Sequence, residues 1–131
     1  MGARLMHYIV PFQVDASRAL RHLHARVFGE GAFDGAWRRP ASIEEALSSA
    51  GESGTRSILD VRGISDTPQA GAASPLSLRE YDRYFGGGAP TVEEVVECDS
   101  LWEDLQRGVV RIVQARHNGD VVLVFVGYTF D

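Results

Sequence analysis

The chain has 131 residues, a hydrophobic fraction of 44% and a net charge of −5, which predict one globular domain over residues 1–131 with a core of its own. Its longest apolar run has six residues, so we expect no membrane span, and its acidic balance argues against nucleic acid as a partner. One cysteine and no lysine exclude an intrachain disulfide, a multi-cysteine zinc site and a catalytic lysine. The N-terminal apolar run stops at Pro11, too short for a signal peptide, so we expect a cytoplasmic protein.

The N-terminal part of the chain is predicted to form a strand and a helix, followed by a glycine-rich loop. Residues 5–12 are a β-rich run that predicts a strand. Because proline lacks a backbone N–H donor, we expect Pro11 to lie near the end of this strand or at a sheet edge. Asp15 is a suitable N-cap for a helix to about Phe28, in which apolar residues recur at helical spacing. The loop 29–35 lacks the glycine spacing of a nucleotide-binding motif.

The middle of the chain is predicted to form a short helix, a strand and a long loop. Ser42 and Glu45 fit a capping box, which predicts a helix to about Ala50. Residues 55–62 have the composition of a second strand. Residues 63–76 are rich in Gly, Ala, Ser and Pro, and a loop of this length inside a compact domain is usually functional or mobile.

Two further helices are predicted before the C-terminal strands, each beginning with a capping box. Ser77 and Glu80 begin the first helix, which stops at the glycines 86–88. Thr91 and Glu94 begin the second, which we expect to reach Gln106. The apolar residues of this second helix share one face and should pack on the sheet. They are Val92, Val95, Val96, Trp102 and Leu105.

The C-terminal residues predict a β-hairpin. Two β-rich runs, 109–117 and 120–131, are separated by Asn118-Gly119, a pair that tolerates the positive φ angles of a type I′ turn. Residues 121–126 are apolar throughout, so this strand should be buried on both faces inside the sheet. Residues 109–116 carry Arg on both faces, which places that strand nearer an edge, where it is open to a partner and could form a homodimer.

Together these elements predict an α+β fold in the order β-α-α-β-α-α-β-β. We expect a mostly antiparallel sheet of about four strands, with helices packed on it.

Acidic residues are concentrated after residue 90. Residues 90–131 carry eight acids against three Arg, whereas residues 1–40 carry six Arg against three acids. A solvated helix face explains such a run of carboxylates, but the same face would steer association with a basic protein. We therefore predict a non-catalytic protein-binding module, of which an immunity- or antitoxin-like protein is one form. The acids assigned to partner binding are Glu93, Glu94, Glu97, Glu103 and Asp104.

A second candidate recognition segment lies in the loop after the first helix. Trp37, Arg38 and Arg39 are residue types that dominate binding interfaces. The alternative is that Trp37 fills the core beneath this loop, and the residues leave both interpretations open.

No pattern of a catalytic or metal site is present. The four histidines show no zinc-binding spacing and no serine lies in a nucleophile motif, so no cofactor, metal or catalytic residue is assigned. The alternative function is a small-molecule-binding protein or small biosynthetic enzyme with a pocket under the 63–76 loop. The aromatic residues predicted to line that pocket are Tyr8, Trp37, Tyr81, Tyr84 and Tyr128.

Several spaced segments in the last two-thirds of the chain are similar to a family of small uncharacterised proteins from GC-rich bacteria. The segments are 57–60, 75–76, 85–86, 90–91, 102–108 and 127–131. The resemblance implies a bacterial, cytoplasmic protein, and it implies no activity and no site residue.

Overall fold

The computed structural model of the protein describes residues 5–30 and 58–128. The predicted helix at 42–50, its capping box and the segment of Trp37, Arg38 and Arg39 lie outside the described residues. The described elements in chain order are β1 (Leu5–Pro11), α1 (Ala16–Glu30), a 3₁₀ helix (Ile58–Asp60), β2 (Gly63–Ile64), β3 (Ala72–Pro75), α2 (Leu78–Phe85), α3 (Val92–Val96), α4 (Asp99–Asp104), β4 (Val110–His117) and β5 (Asp120–Tyr128).

Over these residues the strands form one mixed sheet in the order β1-β5-β4-β3-β2. β5 pairs antiparallel with β1 and β4, whereas β4, β3 and β2 pair in parallel. The α+β class is confirmed, but the prediction of about four, mostly antiparallel strands in the stated order is wrong. The additional strands β2 and β3 lie within the segment 63–76 that was predicted as a loop.

The C-terminal hairpin forms as predicted. Asn118 and Gly119 have φ angles of 52° and 86°, so both adopt the left-handed conformation that a type I′ turn requires. β5 lies between β1 and β4, and residues 122–127 are buried. Val121 is 44% exposed, because it lies beside the turn at the end of the sheet. The apolar run therefore does mark a strand inside the sheet, apart from its first residue, but the middle of the five strands is β4.

β4 is an inner strand, so the prediction that it lies near a sheet edge is wrong. Its first residues pair with β3, and further along its backbone is capped by other groups. The Gln114 N–H donates to the Tyr81 hydroxyl at 2.7 Å, and the Arg116 N–H donates to the Pro90 carbonyl at 2.9 Å. Arg111, which suggested an edge position, is buried and ion-paired.

Helices cover both faces of the sheet. On one face, α1 packs the predicted stripe Ala19, Leu20, Leu23 and Val27 against the sheet, and the 3₁₀ helix extends the same core. On the other face, α2, α3 and α4 pack around Val95 and Leu101. Because both faces are covered, the inner strand β5 is apolar on both sides.

Two further predictions of secondary structure need correction. Ile58 and Leu59, predicted within a strand, form a 3₁₀ turn and are fully buried, so their apolar character marks core packing and not a strand. The predicted helix from Thr91 to Gln106 is two short helices, α3 and α4, which are separated at Glu97 and Cys98. The break lets Val95 and Leu101 both be buried against the sheet.

Candidate functional site

A cleft of about 380 Å³ opens between α2, the end of α4 and the start of β4. We call it the α2–α4 cleft. Pro68 borders it, so it lies beside the 63–76 segment, where a pocket was predicted. Its remaining lining residues are Glu80, Arg83, Tyr84, Leu101, Asp104, Leu105, Gln106, Val109 and Arg111. Charged and tyrosine side chains thus share the cleft with apolar walls, as is usual for a binding site.

An ion pair between Glu80 and Arg111 lies in the lining of this cleft. The Arg111 Nη1 and Nη2 atoms donate to the two carboxylate oxygens of Glu80 at 2.8 and 2.7 Å. The same guanidinium donates to the Ser74 and Pro75 carbonyls at 3.3 and 3.2 Å, and the Arg111 side chain is only 8% exposed. These bonds tie α2 to β3 and β4.

The hydrogen bonds from Arg111 hold the pKa of Glu80 at about 2, below its ordinary 4.5. The Glu80–Arg111 pair therefore stays charged at neutral pH and cancels its own charge. Sequence reasoning assigned neither residue to a site, because the two are 31 positions apart and only the fold brings them together.

A second polar group lies at the rim of the cleft. The Tyr84 hydroxyl donates to Asp104 Oδ2 at 2.5 Å, and Arg83 Nη2 lies 3.1 Å from the same oxygen. The Arg83 guanidinium carbon lies 5.4 Å from the centre of the Tyr84 ring, within cation–π distance. Burial, with the hydrogen bond and charge of Asp104, raises the pKa of Tyr84 to about 12, so this phenol remains protonated.

The predicted partner-binding acids are all exposed on α3 and α4 and on the residue between them. Of this set, only Asp104 forms an ion pair within the described part of the chain. Glu94 also closes the capping box of α3, where its carboxylate accepts from the Thr91 N–H at 3.0 Å. We call these exposed carboxylates, together with Asp99, the acidic layer. Its members are Glu93, Glu94, Glu97, Asp99, Glu103 and Asp104.

The opposite side of the sheet carries the opposite charge. α1 exposes Arg18, Arg21 and Arg26, against a single acid, Glu30, at its end. Among the described residues, the excess of acidic side chains on α3 and α4 and the excess of basic side chains on α1 thus lie on opposite sides of one sheet.

The structure does not bring the predicted tyrosines together. Tyr8 packs in the core beneath α1, whereas Tyr81 and Tyr84 pack on the other face of the sheet. Tyr128 contacts Trp102 edge-to-face at 6.3 Å. Of the predicted set only Tyr84 lines the α2–α4 cleft, and Trp37 lies outside the described residues.

His24 is one of the buried residues of α1. It is 4% exposed, and its Nε2 lies 2.8 Å from the Val61 carbonyl. Burial lowers the pKa of His24 below 6.5, so the neutral ring, with Nε2–H as donor, satisfies this bond. Within residues 5–30 and 58–128, no group of three or more His, Cys, Asp or Glu side chains is placed to hold a metal ion.

No described helix is long and apolar enough to cross a membrane. Comparisons with protein-family models, with curated proteins and with solved structures found no match. The resemblance to small proteins of GC-rich bacteria therefore stays a prediction.

Proposed function

We propose that this protein is a non-catalytic binding module that engages a basic protein through its acidic layer. The observation that carries the proposal is the separation of charge across the sheet. Residues 92–104 carry six acids and no Arg, and all six carboxylates are exposed. Such a surface attracts and orients a basic partner during association, and the basic α1 on the far side disfavours the reverse orientation.

The immunity- or antitoxin-like form of this function belongs to the same proposal. A protein that neutralises a basic toxin needs an acidic surface that is already in place, since a pre-formed surface loses little entropy on binding. The capping box of α3 and the buried contacts of α3 and α4 support a pre-formed acidic layer of this kind.

The test compares two variants of equal net charge. In the first, Glu93, Glu97 and Glu103 are changed to Gln, which removes three charges from the acidic layer. Partners captured from the native host are identified, purified and titrated against each protein at several salt concentrations. We expect a basic partner whose affinity falls about ten-fold or more in this variant and whose association rate falls steeply with salt.

The matched control removes three exposed acids from outside the acidic layer, with Glu30→Gln, Asp66→Asn and Asp120→Asn. Because its net charge equals that of the first variant, any difference between them reports the position of the charges. We expect the control to bind within about two-fold of the wild type. Equal losses in both variants, or a partner without a basic surface, would contradict the proposal.

A second candidate is the binding of a small molecule in the α2–α4 cleft, favoured by its volume of about 380 Å³. A biosynthetic enzyme with such a pocket belongs to this candidate. In a thermal-shift screen of metabolites, we expect a metabolite that binds in the cleft to raise the melting temperature of the wild type. Leu105→Trp, which fills the cleft, should abolish the shift, whereas Leu78→Trp, at a position 85% exposed and outside the cleft, should keep it. A metabolite that stabilises both variants equally would place its site elsewhere.

A further inference from the structure

We propose that the α2–α4 cleft receives an arginine side chain of the basic partner, and that Arg83 holds this position in the free protein. The inference rests on the proposed function, because it names the group that the partner would insert beside the acidic layer. The contacts of Arg83 are those that an incoming guanidinium would use.

Arg83 bridges an aromatic ring and a carboxylate while remaining largely in solvent. Its guanidinium carbon is 5.4 Å from the Tyr84 ring centre, its Nη2 is 3.1 Å from Asp104 Oδ2, and its side chain is 67% exposed. An ion pair this exposed contributes little to stability, so Arg83 is displaced at small cost. The Tyr84 ring and Asp104 would then be free to bind another cation.

The cleft has walls suited to the aliphatic part of an arginine side chain. Leu101, Leu105 and Val109 line it, and arginine commonly packs its methylene groups along such apolar surfaces. The Glu80–Arg111 pair in the same lining is self-neutralised, since both carboxylate oxygens accept from Arg111. Once Arg83 moves out, the cleft is left with one uncompensated negative charge, that of Asp104.

The geometry favours arginine over lysine. A planar guanidinium stacks on an aromatic ring and pairs with a carboxylate through two parallel bonds, whereas an ammonium group is compact and strongly hydrated. Asp104 Oδ2 already accepts from the Tyr84 hydroxyl, and Oδ1 has no partner within the described residues. A guanidinium can use both oxygens while lying over the ring.

The experiment uses the full chain and a blocked tri-arginine peptide as the probe, titrated by calorimetry at low salt. Arg83→Gln vacates the site, and Arg79→Gln is its matched control on the same helix, with the same loss of charge but outside the cleft. We expect Arg83→Gln to bind the peptide about five-fold more tightly than the wild type, and Arg79→Gln to change the affinity less than about two-fold.

A second pair of variants tests the carboxylate. Asp104→Asn should weaken binding about five-fold, and Asp120→Asn, an exposed change of the same kind outside both the cleft and the acidic layer, should weaken it less than about two-fold. In the wild type, the NMR signal of the Arg83 Nε–H group should shift during the titration while that of Arg79 does not. A tri-lysine peptide should bind more weakly than tri-arginine.

Several results would overturn the inference: no binding of tri-arginine, equal affinities of the Arg83 and Arg79 variants, or lysine binding as tight as arginine binding. Failure of the proposed function has a different signature. If the peptide responds to Glu93→Gln and Glu97→Gln but not to the changes in the cleft, the acidic layer is supported and the arginine site is wrong. If it responds only to the changes in the cleft, the arginine site stands and the carboxylates of the acidic layer other than Asp104 are not the binding surface.

Discussion

At the scale of single residues, His24 links the stability of the fold to pH. Its ring is buried in the core beneath α1, and burial holds its pKa below 6.5. The unfolded chain therefore takes up a proton more readily than the folded one as the pH falls through 6.5. Stability from this residue is fully present above that pH and declines as the pH falls toward the folded pKa.

We expect the free energy of unfolding of the wild type, measured with urea, to fall between about pH 7.5 and pH 5.5, and this decline to be smaller in His24→Gln. The glutamine amide can still donate to the Val61 carbonyl but has no proton to gain. His7→Gln, which removes an exposed imidazole on β1, is the control. A decline of the same size in wild type and His24→Gln would show that His24 does not titrate with unfolding.

Glu80 acts in a lower pH range. Its pKa is about 2 in the folded protein against 4.5 ordinarily, so its contribution is present above pH 4.5 and is lost as the pH falls toward 2. Glu80→Gln should lower the free energy of unfolding at pH 7 by roughly 2 kcal/mol, because it leaves the charge of buried Arg111 without its carboxylate.

Two comparisons make the Glu80 prediction specific. Glu93→Gln, an exposed change of the same kind, should cost less than about 0.5 kcal/mol. The double variant Glu80→Gln/Arg111→Met should be more stable than Glu80→Gln alone, since it removes the unpaired charge as well. If the double variant were the less stable of the two, Arg111 would be stabilising the fold through contacts other than this ion pair.

At the scale of secondary-structure elements, the start of α3 depends on one threonine. The Thr91 hydroxyl accepts from the Glu94 N–H at 3.1 Å, and the Glu94 carboxylate accepts from the Thr91 N–H at 3.0 Å. Thr91→Ala should cost about 1 kcal/mol of stability in urea denaturation. Thr67→Ala is the control, because the Thr67 hydroxyl lies in a loop and has no partner among the described residues. If both variants lose the same stability, the Thr91 cap does not stabilise α3.

The elements that sequence reasoning predicts are those whose signal is local. A capping box lies within four residues, and the turn at Asn118 and Gly119 needs only two residues that tolerate positive φ. By contrast, β3 is Ala-Ala-Ser-Pro, a composition disfavoured in strands, and it is a strand because β4 lies beside it in register.

The same distinction applies to the candidate site. The carboxylates of the acidic layer could be identified from the sequence, because a dense run of acids on a helix must face solvent. The cleft could not be predicted, because it depends on contacts such as that of Tyr84 with Asp104, 20 residues away, and of Glu80 with Arg111. Arg111 was misinterpreted for this reason: an Arg in a strand indicates a sheet edge as long as its partner on another element is not known.

At the scale of the whole molecule, β1 forms one edge of the sheet that the described residues build, and this edge is protected. β1 has one neighbouring strand among the described residues, so one side of its backbone is open to pairing with another chain. Arg26 reaches from α1 and donates to the Ile9 carbonyl at 2.9 Å, which places that carbonyl on the open side. In an antiparallel strand, residues two apart direct their backbone groups to the same side, so the backbone of Pro11 also faces the open side. Proline has no N–H to donate to a second chain there.

Removal of this protection should promote pairing of β1 with β1 in a second copy, and thus a homodimer through this edge and not through the hairpin. We expect Arg26→Ala to self-associate several-fold more strongly than the wild type in sedimentation experiments, because the Ile9 carbonyl becomes available to a second chain. Arg21→Ala is the matched control, since it removes the same charge from the exposed side of the same helix. If both variants associate equally, the effect comes from lost charge repulsion, and the contact of Arg26 with β1 does not protect the edge.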